Sequence, residues 1–286
     1  MFKIKQKKGG WYSVILIVLI VFVMVVLVDV FKGRSFSSSS LETGSVVRES
    51  TLPGYNYEIS DGEYSAYFKS TISKEGAVKY IRNGVEISFQ PIEMRYVSSS
   101  NNSKYLQPIA SAKNVPAKIG DDVITFENVF EGVDFVYEYT PETLKERIIL
   151  KDAGTFFTPH PKILANDPAL GIQFIFDFKN SDLVIDGEKW DKSSTRKTKG
   201  NLTFRNFKLE PVFLKDANGK VTELEYEIKR SGQSFFVTVQ IPYSALEDAA
   251  FPLEIDPSIT ATQEIGGPAT EEAGEGDILA PPAPSD

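Results

Sequence analysis

The chain has 286 residues, no cysteine and a formal net charge of −8 at pH 7. Without cysteine it has no thiol catalysis, no iron–sulfur cluster and no cysteine zinc site. An acidic chain also lacks the basic surface that general nucleic-acid binding requires, so we predict no nucleic-acid partner.

The first predicted element is a membrane anchor. Trp11–Val28 is apolar and uncharged, and the run can extend to Phe31 past Asp29. As an α-helix this run covers most of a hydrocarbon core about 30 Å thick. Four lysines lie within residues 1–8, and lysines stay on the cytoplasmic side. The pattern predicts a cytoplasmic tail at 1–10, a single transmembrane helix at 11–31 in contact with the lipid bilayer, and an extracellular remainder.

The alternative interpretation of the same run is a cleavable signal peptide, which would leave the rest of the protein secreted. Such peptides have an apolar stretch of about 7–15 residues followed by a small-x-small cleavage site. This run is longer and continues into LVDVFKGRSF, without such a site. The length and the ending both favour an uncleaved anchor.

Polar segments flank the central part of the chain. Residues 32–54 are rich in serine and lack apolar periodicity, which predicts a flexible spacer. Residues 259–286 are rich in proline, alanine, glycine and glutamate, which predicts a disordered acidic tail. The segment between them, 55–258, is predicted to form one extracellular domain.

That central segment has the pattern of β-structure. Asn83-Gly84 separates two apolar stretches, and both residues accept the positive φ of a tight hairpin turn. Val133–Tyr139 and Leu144–Leu150 predict a second hairpin, with Phe135 and Tyr137 buried.

Further along, Ile172–Phe178 alternates with period two, which places Ile172, Phe174, Phe176 and Phe178 on one face. Tyr243–Ala249 is the one segment that suggests a helical turn.

Short strands separated by glycine, asparagine and proline turns predict an all-β, antiparallel β-sandwich preceded by one transmembrane helix. Two prolines surround His160 within Thr158–Pro161, and prolines so close together cannot lie inside a sheet. This break suggests two packed half-domains.

We predict no catalytic, cofactor-binding or metal-binding residues. His160 is the only histidine, lies between prolines, and is not accompanied by a G-x-S-x-G nucleophile motif. A pair of carboxylates could serve glycoside hydrolysis, and calcium could bind Asp121-Asp122 or Asn180–Asp182, but the pattern favours outward-facing strand and turn positions. The carboxylates concerned are Asp121, Asp122, Glu127, Asp134, Glu138, Asp177, Asp182 and Asp186.

A basic cluster lies in a segment rich in serine and threonine, beside Trp190. It consists of Lys189, Lys192, Arg196, Lys197 and Lys199. It could contact an anionic polymer or lipid surface, but it lacks helical or strand spacing, so a solvated loop is the favoured interpretation.

Two segments carry a resemblance. Phe126–Tyr137 reads FENVFEGVDFVY and is followed by Leu-Lys-Glu at 144–146, while Ile241–Pro257 reads IPYSALEDAAFPLEIDP. They resemble β-rich modules of large bacterial and archaeal extracellular surface proteins, which end in an aromatic-Pro-x-x-Ile-Asp-Pro segment. The resemblance implies an extracellular β-sandwich module without known catalytic residues. Such modules usually precede long repeat or adhesive regions, whereas this sequence stops soon after Pro257.

The sequence therefore predicts a membrane-anchored, non-catalytic extracellular module for surface display, scaffolding or adhesion, with a cell-surface polymer or protein as its partner. The alternative is a glycan-binding or glycan-hydrolysing domain. An open groove lined by exposed aromatic side chains and two facing acids favours the alternative, whereas a filled interface with scattered acids favours the first function.

Overall fold

A computed structural model describes residues 46–60, 64–98, 106–140, 143–153, 158–178, 183–190, 195–204 and 207–261. These residues all belong to one compact unit, Thr43–Asp286. The predicted cytoplasmic tail, the predicted transmembrane helix at 11–31 and most of the predicted C-terminal tail lie outside the described residues. Within the described ranges, no helix is long and apolar enough to cross a membrane.

The described residues form 22 strands and two short helices. The strands of the first half are β1 (Val47–Glu49), β2 (Tyr57–Ser60), β3 (Ser65–Phe68), β4 (Val78–Arg82), β5 (Val85–Ser98), β6 (Leu106–Ser111), β7 (Ala117–Ile119), β8 (Val123–Phe130), β9 (Val133–Tyr139) and β10 (Thr143–Leu150). The later elements are α1 (Pro161–Leu164), β11 (Pro168–Phe178), β12 (Leu183–Ile185), β13 (Glu188–Trp190), β14 (Arg196–Thr198), β15 (Leu202–Phe204), β16 (Phe207–Leu209), β17 (Phe213–Lys215), β18 (Val221–Glu223), β19 (Glu225–Ser231), β20 (Ser234–Pro242), α2 (Tyr243–Glu247), β21 (Leu253–Asp256) and β22 (Ile259–Ala261).

These strands make two large antiparallel sheets, which confirms the all-β prediction. The first sheet has the order β1-β2-β3-β4-β5-β11-β20-β19-β14, with β6 also paired to β5. The second sheet runs β7-β8-β9-β10, and then two sets of strands continue from the far edge of β10. One set is β21-β17-β18 and the other is β22-β16-β15-β12-β13.

Aromatic side chains fill the space between the sheets, in a sandwich-like arrangement. Phe174 of the first sheet meets Phe135 of the second with ring centroids 5.7 Å apart, and Phe176 meets Phe204 at 6.3 Å. The alternation predicted for β11 explains this, because Ile172, Phe174 and Phe176 are all buried on one face. The side chain of Phe178 lies outside the described residues.

Both predicted hairpins are confirmed. Asn83 and Gly84 have φ of 48° and 73°, as a tight turn between β4 and β5 requires. β9 pairs with β10 along its length, and Phe135 and Tyr137 are fully buried. The predicted helical turn also forms, as α2.

The break at Thr158–Pro161 does not separate two half-domains. β11, which follows it, pairs with β5, which precedes it, and the buried residues of both halves form one core. His160 and Pro161 begin α1 instead of lying in an extended linker.

The ordered domain is also longer at both ends than the sequence predicted. β1 lies within the predicted spacer at 32–54, yet Val47 is fully buried and the strand pairs with β2. β22 lies in the predicted tail and pairs with β10 and β16.

Candidate functional site

The candidate site lies where the second sheet is interrupted by proline. β21 and β22 pair with β10 in one register, since Ile148 faces Ile255 and Leu144 faces Ile259. β21 and β22 are thus two parts of one strand along the edge of β10, interrupted at residues 257–258. Pro257 has no N–H to donate, so the ladder cannot continue through it.

The next strand of the sheet, formed by β16 and β17, has a matching irregularity. β16 and β17 flank Glu210–Val212, and the pairing shifts by one residue between Leu209 opposite Ile259 and Phe213 opposite Asp256. Pro211 lies in this segment and also lacks an N–H. The backbone N–H of Glu210 still donates to Ser258 O at 3.0 Å. The two prolines therefore leave a gap between strand pairs without separating the strands.

This gap opens as a cleft of about 440 Å³ on the outer face of the second sheet. We call it the proline cleft. Its lining residues are Thr140, Thr143, Lys145, Glu210, Pro211, Phe213, Asp256, Ser258 and Thr260. The cleft is large enough for a small organic ligand or one sugar unit of a chain.

One large apolar side chain of the cleft faces solvent. Phe213 is 42% exposed, whereas Phe207, on β16 before it in the chain, is 1% exposed. Thr143 and Thr260, which are paired across β10 and β22, line the same cleft and carry hydroxyl groups. The site therefore offers an aromatic surface beside hydrogen-bonding groups.

The charged groups of the cleft differ in how they are engaged. Glu210 forms an ion pair with Lys208, with Nζ and Oε2 2.9 Å apart. Asp256 accepts hydrogen bonds from the backbone N–H of Ser258, at 3.2 Å, and from its hydroxyl. Lys145 is exposed.

Side chains alternate between the two faces of the sheet along β10, so the side chain of Glu146 points into the core beneath the cleft. Its side chain is almost fully buried and its Oε1 accepts a hydrogen bond from the Tyr137 hydroxyl at 2.8 Å. Burial, with a smaller contribution from the nearby charge of Asp256, raises the pKa of Glu146 from its ordinary value of 4.5 to about 8, although the hydrogen bond from Tyr137 lowers it. Glu146 is therefore mostly protonated at neutral pH and does not line the cleft.

Those candidate residues from the sequence that the structure describes do not meet in one place. His160 is exposed, and its Nδ1 accepts a hydrogen bond from Lys162 N at the start of α1. Glu127, Asp134 and Glu138 are each paired with a lysine or arginine on the surface. Within the described ranges, no group of three or more histidine, cysteine or acidic residues could hold a metal ion.

The other candidates are also distributed over the surface. Asp121 and Asp122 are exposed in the turn before β8, and Asp177 accepts a hydrogen bond from Ser234. Asp186 accepts one from Thr198 at 2.7 Å. Asn180–Asp182, with the calcium site suggested there, lies outside the described residues.

Three of the described members of the basic cluster are paired with acidic side chains. Arg196, Lys197 and Lys199 lie on or beside β14 and each forms an ion pair with a glutamate. Trp190 is buried against Phe235, with ring centroids 5.8 Å apart. Lys192 lies outside the described residues.

Sequence reasoning missed Phe213 and Lys145 as site residues. Each belongs to a strand whose pattern is ordinary, and only the pairing of β10 with β21 and β22 brings them together. Pro211 and Pro257 were the features of the sequence that could have pointed to this cleft, because each interrupts a strand pattern.

In comparisons with known proteins, no family model, no curated protein and no solved structure matches this chain. The fold and the cleft define the class on their own: an all-β domain of two packed antiparallel sheets, with a ligand-sized depression on the outer face of one sheet.

Proposed function

We propose that this protein is a non-catalytic β-sandwich module, displayed outside the cell by a transmembrane helix at 11–31, that binds a glycan in the proline cleft. The observation that carries the proposal is the exposed ring of Phe213 beside the hydroxyl groups of Thr143 and Thr260. Aromatic faces stack on the C–H faces of sugars, and hydroxyl and carboxylate groups bond the sugar hydroxyls.

Binding is favoured over hydrolysis by the state of the acids. Hydrolysis needs one carboxyl group that gives a proton and a second that activates water or attacks the sugar. In the cleft, Glu210 is engaged with Lys208 and Asp256 with Ser258. The carboxyl group with a raised pKa, Glu146, is enclosed in the core.

The experiment measures retention of the purified full-length protein in detergent on immobilised neutral, acidic and amino glycans. We expect retention on at least one class, and about fivefold weaker binding by Phe213→Ala, because an aromatic contact contributes about 1 kcal/mol beyond buried area. Leu106→Ala is the matched control, since Leu106 is 46% exposed but lies in the other sheet.

Equal binding by Phe213→Ala and the wild type would place any glycan site elsewhere and overturn the proposal. Release of new reducing ends from a bound glycan would instead support hydrolysis, with Glu210 and Asp256 as the acids to substitute.

A further inference from the structure

Three polar side chains on the outer face of the first sheet form a connected set that the proposed function does not use. Lys197 Nζ donates to Gln240 Oε1 at 2.8 Å. Gln240 Nε2 in turn donates to Glu227 Oε2, also at 2.8 Å. Gln240 is 3% exposed and Glu227 is 6% exposed, so the glutamine amide is held away from bulk water.

We propose that Lys197 and Gln240 form an intramolecular amide cross-link, with Glu227 carrying protons between them. A bond forms between Lys197 Nζ and Gln240 Cδ, and the bond between Gln240 Cδ and Nε2 breaks. Glu225, which contacts Nζ, accepts one proton of the lysine ammonium group. Glu227 transfers a second proton from the attacking nitrogen, once that nitrogen is bonded to Cδ, to the departing nitrogen. The ammonia that leaves then takes the proton from Glu225. The lysine ammonium and the carboxamide thus become a secondary amide and an ammonium ion, and Glu227 ends unchanged.

The strand register holds the reacting groups in place. Lys197 of β14 faces Glu227 of β19, and Glu227 faces Thr238 of β20. Gln240 follows two residues later on the same face of β20, so the lysine reaches it across β19. Groups held at hydrogen-bond distance by a rigid scaffold react as if at a very high local concentration.

Lys197 also contacts Glu225, whose Oε1 lies 3.2 Å from Nζ. This second carboxylate fixes the position of the amine. Glu227 differs from it in contacting the nitrogen that must leave, which makes Glu227 the group able to protonate that nitrogen.

A second lysine in the same protein provides an internal comparison. Lys151 Nζ lies 3.3 Å from Asn128 Oδ1 and 2.8 Å from Asp134 Oδ1. Here the carboxylate contacts the lysine and the backbone N–H of Asn128, and not the side-chain nitrogen that would leave. We therefore expect no cross-link at Lys151.

The cross-link would join β14, at the edge of the first sheet, to β20 across the intervening β19. A chain without cysteine has no disulfide with which to constrain its strands. An amide bond between side chains supplies the same kind of covalent constraint, and it does not depend on the redox state of the surroundings.

The experiment is mass spectrometry of the purified full-length protein after denaturation and tryptic digestion. We expect a peptide containing Lys197 joined to one containing Gln240, lighter than their sum by one ammonia. Lys197→Arg and Glu227→Gln should each abolish the joined peptide, while Lys151→Arg should leave it unchanged. A thermal melt of each variant establishes that it is folded.

Loss of ammonia alone does not count as support, because an asparagine before glycine loses the same mass when it cyclises, and Asn83 and Asn218 both precede glycine. Separate Lys197 and Gln240 peptides from folded wild-type protein would overturn the proposal. So would a joined peptide that persists in folded Glu227→Gln.

Discussion

At the scale of single residues, Glu146 is a carboxylic acid placed in the described core, where burial raises its pKa. A charged carboxylate without a cationic partner is costly to bury, so the protonated form is favoured. Tyr137, on the opposite strand, supplies the hydrogen bond to Oε1. The core therefore accommodates the Glu146 side chain because its carboxyl group stays mostly protonated, and so uncharged, at neutral pH.

This environment predicts how stability depends on pH. Since folding raises the pKa of Glu146 from 4.5 to about 8, the folded state holds a proton that the unfolded state has released. The contribution of Glu146 is fully present below about pH 4.5 and is lost as the pH rises toward 8. Glu146→Gln keeps an acceptor for Tyr137 without this proton linkage. We expect the variant to be more stable than the wild type at about pH 8, with the difference shrinking toward about pH 4.5.

Chemical denaturation across this pH range measures the effect. Glu138→Gln is the matched control, because Glu138 lies on the outer face of β9 and pairs with Arg147 at the surface. Parallel pH profiles for Glu146→Gln and the wild type would contradict the prediction.

At the scale of elements, the sequence predicted those parts of the fold that depend on local pattern. The hairpin at Asn83-Gly84 follows from two residues that accept positive φ, and the buried face of β11 follows from alternation. The spacer boundary was misplaced because β1 has only three residues, too few for a period to be visible. Its position is fixed by pairing with β2.

The hairpin of β9 and β10 allows a direct test of which face is buried. Phe135 is fully buried and its ring lies 6.1 Å from that of Phe130. Phe135→Ala should lower the free energy of unfolding by about 3–5 kcal/mol through lost burial and a cavity. Phe213→Ala, the same change at a 42% exposed site, should cost less than about 1 kcal/mol. Thermal melts of both variants compare the two losses of stability. Equal losses would show that burial of the ring does not determine the cost of removing it.

The candidate site was beyond sequence reasoning for a physical reason. The proline cleft exists because residues 143–150 pair with residues 253–261, more than a hundred positions later in the chain. No local pattern encodes that pairing. The same holds for Lys197, Glu227 and Gln240, which come from three strands and form a set only through the order β20-β19-β14.

At the scale of the whole molecule, the two halves of the sequence are interleaved and not stacked. Each sheet takes strands from before and after Thr158–Pro161. The prolines interrupt the chain between strands, where no ladder hydrogen bond is lost, so they mark a connection and not a domain boundary. Composition predicted the strand content, but the distribution of strands between two sheets depends on long-range pairing.

The orientation of this domain relative to the membrane gives the last prediction. Lysines before the apolar run at 11–31 favour a cytoplasmic N-terminus, which places the β domain outside. Protease added to intact cells should therefore remove the domain and leave a short membrane-bound fragment, detected by a tag placed at the N-terminus. A β domain that the protease cuts only after the cells are lysed would show the opposite orientation. Release of an intact domain into the medium without protease, lacking the apolar run, would instead indicate a cleaved signal peptide, because only removal of that run separates the β domain from the bilayer.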